Sequence, residues 1–320
     1  MGESGAVRVR SFCDDEASIE SVAGWDLQCL QMSAGMLDGD AVDLHLPSIQ
    51  LLFETYRNVS TSHCGTAPIG AVVFGIAASM VGDGLLNGHR WGDGISAFDS
   101  RQELVSVVPP VELITLVVDR KMLNEHAWAT EHVDLEHWLS QAPVVLNDAD
   151  LARRVAGRLG ELRAACQGGR LCAQGPAAQQ CLADDILDVL CPLVVQRLRR
   201  PQDARRELPH VEVVRRARDY VSERCAEPPR IIDLCRELGV SRRWLQLSFN
   251  EVMGIGPWEY LHLMRLSGAR RMLFRATPGA KVNDAIEAYG FWHPSRFSRD
   301  YRRHFGELPS QTLHRAMARC

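Results

Sequence analysis

The sequence predicts an α+β chain, in which a β-rich amino-terminal region is followed by a few helices and then by an all-α carboxy-terminal region. Three observations support this prediction. Short apolar runs separated by turn-forming residues fill residues 25–119 and are typical of a β-barrel or sandwich. After residue 119 the apolar residues recur with a helical period. Residues 234–301 contain one helix-turn-helix pattern twice.

The β-rich region contains several segments with the composition of strands. They span residues 25–32, 41–46, 50–59, 69–78, 94–98, 103–108 and 113–118. Turn-forming sequences such as Asp38-Gly39-Asp40, Gly82-Asp83-Gly84 and Pro109-Pro110 separate them. This spacing predicts a β-domain.

Helices are predicted after the strands, over residues 135–139, 151–165 and 182–198. The last carries an apolar stripe with a spacing of one helical turn, formed by Ile186, Leu190, Val194 and Leu198. We expect this stripe to carry a dimer contact; the alternative is that it packs on the β-domain. Pro192 lies within the pattern and is expected to kink or interrupt the helix.

The charge of the chain is strongly asymmetric. Residues 205–320 carry 21 Lys and Arg against 13 Asp and Glu, a net charge of +8, whereas the remaining residues carry 15 against 27, a net charge of −12. A basic region confined to one end is typical of a nucleic-acid-binding module. The charged, proline-containing stretch 201–210 predicts a linker. We therefore expect one domain over residues 1–200 and a DNA-binding domain over residues 211–320.

The repeated pattern is a short apolar helix, a turn at glycine, and a second helix with apolar residues one turn apart. Its first copy contains Leu234-Cys235, Gly239-Val240-Ser241, Leu245 and Phe249. Its second copy contains Ala285-Ile286, Gly290-Phe291, Ser295-Arg296-Phe297 and Tyr301. The predicted helices span residues 232–238, 241–252, 257–274, 281–289, 294–305 and 313–318. Since the second helix of such a motif enters the DNA major groove, the chain has two predicted recognition helices.

The apolar spacing divides each recognition helix into a core face and an outward face. Leu245 and Phe249 are assigned to the core in the first helix, and Phe297 and Tyr301 in the second. The residues predicted to face the bases are Arg242, Arg243, Gln246, Ser295, Arg296 and Arg299. Arg and Gln can bond base edges bidentately; the alternative is that exposed arginines contact only phosphate. Arg302 and Arg303 are predicted phosphate contacts, and Ser241 is predicted to cap its helix.

These residues, together with Tyr260-Leu261, Arg265-Leu266, the run Ala269-Arg270-Arg271-Met272-Leu273, Gly306 and Pro309, resemble the AraC/XylS transcription regulators. The resemblance implies a seven-helix DNA-binding domain whose recognition helices enter successive major grooves on one face of double-stranded DNA. It also implies that residues 1–200 form a cupin-like β-barrel that binds an effector and makes a homodimer. Regulation of transcription, as an activator with RNA polymerase as a partner, is the expected function. Leu247 departs from the pattern, because many family members carry a basic residue there.

Other classes of protein are disfavoured. The amino terminus is polar and acidic, and the longest apolar run, residues 69–81, contains glycines and is too short to span a bilayer, so we expect a cytoplasmic protein. The ten cysteines include no CxxC pair, and the spacings of Cys166, Cys172, Cys181 and Cys191 fit no zinc module, so reduced thiols are expected. The sequence has no His-x-His pair, and Cys191-Pro192 is not the Pro-Cys-His-Arg site of methyl-transferring repair proteins. We therefore expect no metal, no cofactor and no enzymatic activity.

Two functions remain open for residues 1–200. In the first, the domain binds a small-molecule or protein effector that controls the regulator. In the second, the regulator is effector-independent, and the domain only dimerises or binds a protein partner. A cavity with a few convergent polar groups would favour the first function, and a filled apolar interior would favour the second.

Overall fold

The computed structural model describes residues 7–13, 22–136, 144–167, 175–198, 209–224 and 227–319. Within these ranges the amino-terminal domain contains two antiparallel sheets. Their strands are β1 (Val7–Cys13), β2 (Asp26–Gln31), β3 (Asp38–His45), β4 (Ile49–Tyr56), β5 (Thr61–Thr66), β6 (Ala71–Met80), β7 (Gly84–Leu86), β8 (His89–Trp91), β9 (Gly94–Asp99), β10 (Leu104–Val108), β11 (Val111–Asp119) and β12 (Val144–Leu146).

The strands form two separate sheets. The seven-stranded sheet has the order β1-β3-β4-β11-β6-β9-β12, and the five-stranded sheet has the order β2-β5-β10-β7-β8. Across the described ranges both sheets are open, with β1 and β12 as the edges of the first and β2 and β8 as the edges of the second. The chain is therefore mixed α and β as predicted, but the closed barrel that the resemblance implied is not observed.

The two sheets pack face to face around a buried core, to which Leu52 of the first sheet and Leu104 of the second both contribute. Side chains alternate along a strand, so each strand also has a second face. In β10, Leu104 and Val108 join the core between the sheets, whereas Val105 joins a different core on the other side. Helices cover this second face of each sheet.

Among the described residues, three helices cover the outer face of the seven-stranded sheet: α1 (Arg120–Glu131), α2 (Ala149–Gln167) and α3 (Pro176–Leu198). Asp119 caps α1, because its side chain accepts a hydrogen bond from the Met122 N–H (2.9 Å). The sequence analysis did not predict α1. Helix α2 is longer than the predicted helix 151–165 at both ends, and α3 begins earlier than the predicted helix 182–198.

The apolar stripe of α3 lies inside the domain. Ile186 and Leu190 are each 1% exposed and belong to the core between the helices and the sheet. The expected dimer contact is wrong for these two residues, because their side chains are already buried within one chain. The side chains of Val194 and Leu198 lie outside the described set. The helix also continues through Pro192 and is not interrupted there.

In residues 209–224 and 227–319 the structure describes seven helices. They are α4 (Pro209–Ser222), α5 (Ile231–Leu238), α6 (Arg242–Met253), α7 (Pro257–Phe274), α8 (Val282–Ala288), α9 (Pro294–Phe305) and α10 (Pro309–Arg319). Linker residues 201–208, residues 137–139 of a predicted helix, and Cys172 lie outside the described ranges. Each helix in those ranges is too short or too polar to cross a lipid bilayer.

The helical carboxy-terminal domain packs on the outer face of the five-stranded sheet. Leu30, Cys64 and Val105 of that sheet share one core with residues of α4, α5, α6 and α7. Beside this core, the buried guanidinium of Arg218 donates to the carboxylate of Glu103, which follows the turn before β10. The first helix-turn-helix unit is thereby attached to the sheet through both apolar and charged contacts.

A second contact attaches α9 to β2. Gln31 Nε2 and the Gly35 N–H both donate to the His304 carbonyl, over 3.1 and 2.9 Å. The His304 ring nitrogen Nε2 lies 3.1 Å from the Gln31 carbonyl. Burial lowers the pKa of His304 to about 4, so the ring is neutral near pH 7 and its Nε2–H donates to that carbonyl. Both helix-turn-helix units therefore rest on the same sheet.

Candidate DNA-binding interface

The first helix-turn-helix unit consists of α5, a short turn and α6. Gly239 ends α5 in the left-handed conformation (φ 66°), which glycine adopts without the steric cost of a Cβ. Ser241 then begins α6, since its Oγ accepts a hydrogen bond from the Trp244 N–H (3.1 Å). The predicted capping role of Ser241 is therefore confirmed, and the cap helps to set where the recognition helix begins.

One face of α6 is fully packed. Leu245 and Phe249 are both 0% exposed, which confirms their assignment to the core. The Phe249 ring packs against Tyr260 of α7, with ring centroids 5.3 Å apart. This packing fixes the rotation of α6 about its axis and so determines which residues face outward.

The opposite face of α6 is open to solvent. Arg242, Arg243 and Gln246 are all exposed, as predicted from the apolar spacing. Gln246 Nε2 donates to Asn250 Oδ1 (3.1 Å), a surface contact one helical turn away. Trp244 is partly packed, because its ring lies 4.5 Å from the His210 ring of α4. Leu247 is 41% exposed and adds an apolar side chain to this surface.

Replacing Ser241 with alanine should lower the free energy of unfolding by about 1 kcal/mol, because it removes the cap and leaves a backbone N–H of α6 without its partner. Chemical denaturation of the full chain, followed by circular dichroism, measures this loss. Ser295→Ala is the matched control, since Ser295 is exposed and lies after the first residue of α9 rather than at its cap. Equal losses for both variants would contradict the capping role.

The second unit consists of α8, a turn at Gly290 (φ 62°) and α9. Arg265 of α7 stabilises this turn: its Nε donates to the Tyr289 carbonyl (2.8 Å), and a terminal nitrogen donates to the Gly290 carbonyl. Its guanidinium also lies 4.3 Å from the centroid of the Phe291 ring. The sequence analysis assigned no positioning role to Arg265, and only the presence of an arginine on the joining helix hinted at one.

The core face of α9 is also as predicted. Phe297 and Tyr301 are 1% and 0% exposed, within a row of aromatic rings that continues to Phe305. The Tyr301 hydroxyl lies 2.8 Å from Thr312 Oγ1 of α10, so its polar end has a hydrogen-bond partner. The packing leaves the other face of α9 available.

The outward face of α9 is strongly cationic. Ser295, Arg296 and Arg299 are exposed, as are Arg302 and Arg303. The Nε atoms of Arg296 and Arg299 lie 3.6 and 3.8 Å from the Asp300 carboxylate. Exposed pairs of this kind contribute little free energy, so both arginines can exchange Asp300 for a DNA partner. Arg299, Arg302 and Arg303 also border a shallow surface groove.

The docked arrangement leaves both outward faces uncovered. Docking on the five-stranded sheet uses other parts of the recognition helices: Val252 of α6 lies in the core shared with the sheet, and His304 of α9 bonds Gln31. All the residues that the sequence assigned to DNA are therefore on the surface of the described structure. In the same ranges, no group of three or more His, Cys, Asp or Glu is placed to hold a metal ion.

Comparisons with known proteins concern this same region. The helix-turn-helix domain family matches residues 234–315. The chain is 36% identical over 102 residues to the "Probable thc operon regulatory protein" of Rhodococcus erythropolis, which covers 32% of this chain and 31% of that protein. It is 39% identical over 79 residues to the "XylDLEGF operon transcriptional activator 1" of Pseudomonas putida, which covers 24% and 23%. The crystal structure of "a probable AraC family transcriptional regulator" from Rhodopseudomonas palustris CGA009 is 34% identical, covers 33% of this chain and 98% of that one, and has a TM-score of 0.30.

The paired units and their joining helix define a double helix-turn-helix protein. Residues 234–315 form an AraC/XylS-type helix-turn-helix domain, as the sequence predicted. It spans 31% and 23% of the lengths of the Rhodococcus and Pseudomonas relatives. Those relatives are regulators, which agrees with the prediction that the chain is not an enzyme.

Proposed function

We propose that this chain is a sequence-specific transcription regulator that binds double-stranded DNA through α6 and α9 and activates transcription. The observation that carries the proposal is the pair of recognition helices whose core faces are buried and whose outward faces are exposed and cationic. The Pseudomonas relative, a "transcriptional activator", supports the direction of regulation. RNA polymerase is the partner that activation requires.

Each outward residue has a proposed role. Arg243 and Gln246 of α6 contact base edges, and Arg242 contacts a base or phosphate. In α9, Ser295, Arg296 and Arg299 contact bases, and Arg302 and Arg303 bind phosphate. These roles follow from the side chains, because arginine can form two hydrogen bonds to guanine and glutamine can form two to adenine. The remaining arginines bind the phosphates of the DNA backbone. Ser241 holds the start of α6 and adds a helix amino terminus that suits a phosphate.

The affinity of the full chain for a random-sequence DNA duplex should fall steeply with salt, because binding releases counterions from the phosphates. If six to ten phosphates are contacted, the loss between 50 and 200 mM salt is about 10³–10⁵-fold. Fluorescence anisotropy of labelled duplex measures it. Arg158→Ala, at an exposed position on α2, is the matched control and should leave the curve unchanged. An affinity independent of salt would contradict the proposal.

Effector control is the proposed role of the amino-terminal domain, over residues 1–200. The proposed linker is 201–210, although its last two residues already begin α4, and the proposed DNA-binding domain is 211–320. A cavity between the two sheets supports this role over the effector-independent alternative. Four polar side chains line it from three strands, together with apolar residues: Glu54 and Tyr56 of β4, His63 of β5 and Thr115 of β11. We further propose that this domain is cupin-like and forms a homodimer, through a surface other than the buried part of the α3 stripe.

A further inference from the structure

The cavity between the sheets is small and has an unusual set of polar groups. Its volume is about 80 Å³, roughly half of the ~150 Å³ of an engineered protein cavity that holds benzene. A ligand of about four non-hydrogen atoms therefore suits it. Of the described residues that line it, one carries a carboxyl group, Glu54, and none is a lysine or an arginine. An anionic ligand would face a carboxyl group without a countercharge.

Glu54 is held in a fixed position at the cavity wall. The Tyr56 hydroxyl donates to its Oε1 (3.0 Å), and Thr115 Oγ1 donates to its Oε2 (2.9 Å). Burial raises the pKa of Glu54, and the hydrogen bonds from Thr115 and Tyr56 oppose part of that rise. Two further charged groups act on the Glu54 pKa: Asp43 raises it and Arg10 lowers it, and these two residues form an ion pair of 2.9 Å.

Aromatic rings and a neutral imidazole complete the wall. Trp25, Trp91 and Phe98 line the cavity, and the Trp25 ring is oriented by a hydrogen bond from its Nε1 to Gln50 Oε1 (3.1 Å). Burial lowers the pKa of His63 to about 4, so His63 adds no positive charge near pH 7. Aromatic faces attract organic cations, particularly where water is excluded.

We propose that this cavity takes a small organic ammonium ion, which pairs with the Glu54 carboxylate between the aromatic side chains. The proposal rests on the effector role proposed above and specifies the ligand for the same site. The ammonium group pairs with the ionised form of Glu54, so any proton that the carboxyl group holds passes to solvent on binding. An alcohol of the same size gains the hydrogen bonds but not the charge pair, and a carboxylate is repelled by Glu54.

Three probes of matched size test the assignment: n-propylammonium, propan-1-ol and propanoate. Each is titrated into the full chain, and binding is measured by calorimetry. We expect n-propylammonium to bind at least tenfold more tightly than propan-1-ol, and propanoate to show no binding over the same range. Raising the pH from 5 to 7 should tighten n-propylammonium binding, because Glu54 loses its proton more readily.

The Glu54→Gln variant should reduce n-propylammonium affinity at least tenfold and remove its pH dependence, without a matching loss for propan-1-ol. Glu112→Gln is the control, since Glu112 is exposed on β11 away from the cavity lining, and should change binding less than twofold. If Glu54→Gln does not fold, the relative affinities of the three probes for the unchanged protein still test the ammonium assignment.

Propanoate or propan-1-ol binding as tightly as n-propylammonium would overturn the ammonium assignment, as would the absence of binding by all three. The unchanged chain is tested in parallel for DNA binding. If the unchanged chain prefers n-propylammonium but does not bind DNA, the result counts against the proposed regulator. Intact DNA binding without that preference would count only against the ligand.

Discussion

Phe249→Ala should lower the free energy of unfolding of the first helix-turn-helix unit by about 3–5 kcal/mol. The ring is 0% exposed and packs on Tyr260, so its removal leaves a cavity between α6 and α7. A helix that loses this anchor no longer holds Arg243 and Gln246 in a fixed orientation. We therefore expect DNA binding to be lost together with stability.

Chemical denaturation of the full chain measures the loss of stability, and fluorescence anisotropy measures the loss of DNA binding. Leu247→Ala is the matched control, because Leu247 lies on the same helix but is 41% exposed. It should change the free energy of unfolding by less than about 0.5 kcal/mol. A Phe249→Ala protein that is as stable as this control would show that the α6–α7 contact does not hold the unit together.

The second large effect concerns specificity. Arg243→Ala and Arg299→Ala should each cost about 1–3 kcal/mol at one base position, if the contact to guanine is bidentate. The two positions should lie in different half-sites, about one turn of DNA (~34 Å) apart, because α6 and α9 belong to different helix-turn-helix units.

Selection from a randomised DNA library, performed with the unchanged chain and with each variant, identifies the positions. Each variant should accept any base at the position that its missing arginine contacts. It should keep the base preference at the position that the other arginine contacts. Arg303→Ala is the control, and as a phosphate contact it should weaken binding to all sequences alike. If Arg243→Ala and Arg299→Ala behave like Arg303→Ala, the base-reading roles are wrong.

The helical domain was largely predictable because its signals are local. The apolar spacing of Leu245 with Phe249 and of Phe297 with Tyr301 identified the buried faces correctly. Ser241 supplied a helix start, and α9 has the predicted bounds, Pro294–Phe305. Such patterns are read within one or two helical turns, without knowledge of the tertiary structure.

The β-domain was less predictable, because strand pairing joins residues far apart in the chain. β5 (Thr61–Thr66) has no large apolar residue and was not predicted, although it pairs with both β2 and β10. β7 and β8 have three residues each, too few to show alternation. The division into two open sheets depends on these strands, and so it could not be read from the sequence.

Two further outcomes depend on tertiary packing. The stripe through Ile186 and Leu190 fits a dimer contact and an internal contact equally well, and only the position of the sheet decides between them. Glu54 was predicted to lie in a strand, but its orientation toward the cavity follows from the neighbouring Phe53 joining the core on the other side. The apolar pattern of the helical domain gives no information about either outcome.

The alternation of β10 places the cavity and the DNA-binding domain on either side of a single layer of backbone. Ser106 borders the cavity, while its neighbours Val105 and Val107 pack with the helices of the carboxy-terminal domain. A shift of β10 on ligand binding would therefore also move Val105 and Val107, against which the helices of the carboxy-terminal domain pack. A ligand bound as proposed would therefore be separated from the helices of the carboxy-terminal domain by one sheet layer, and packed layers are on the order of 10 Å apart.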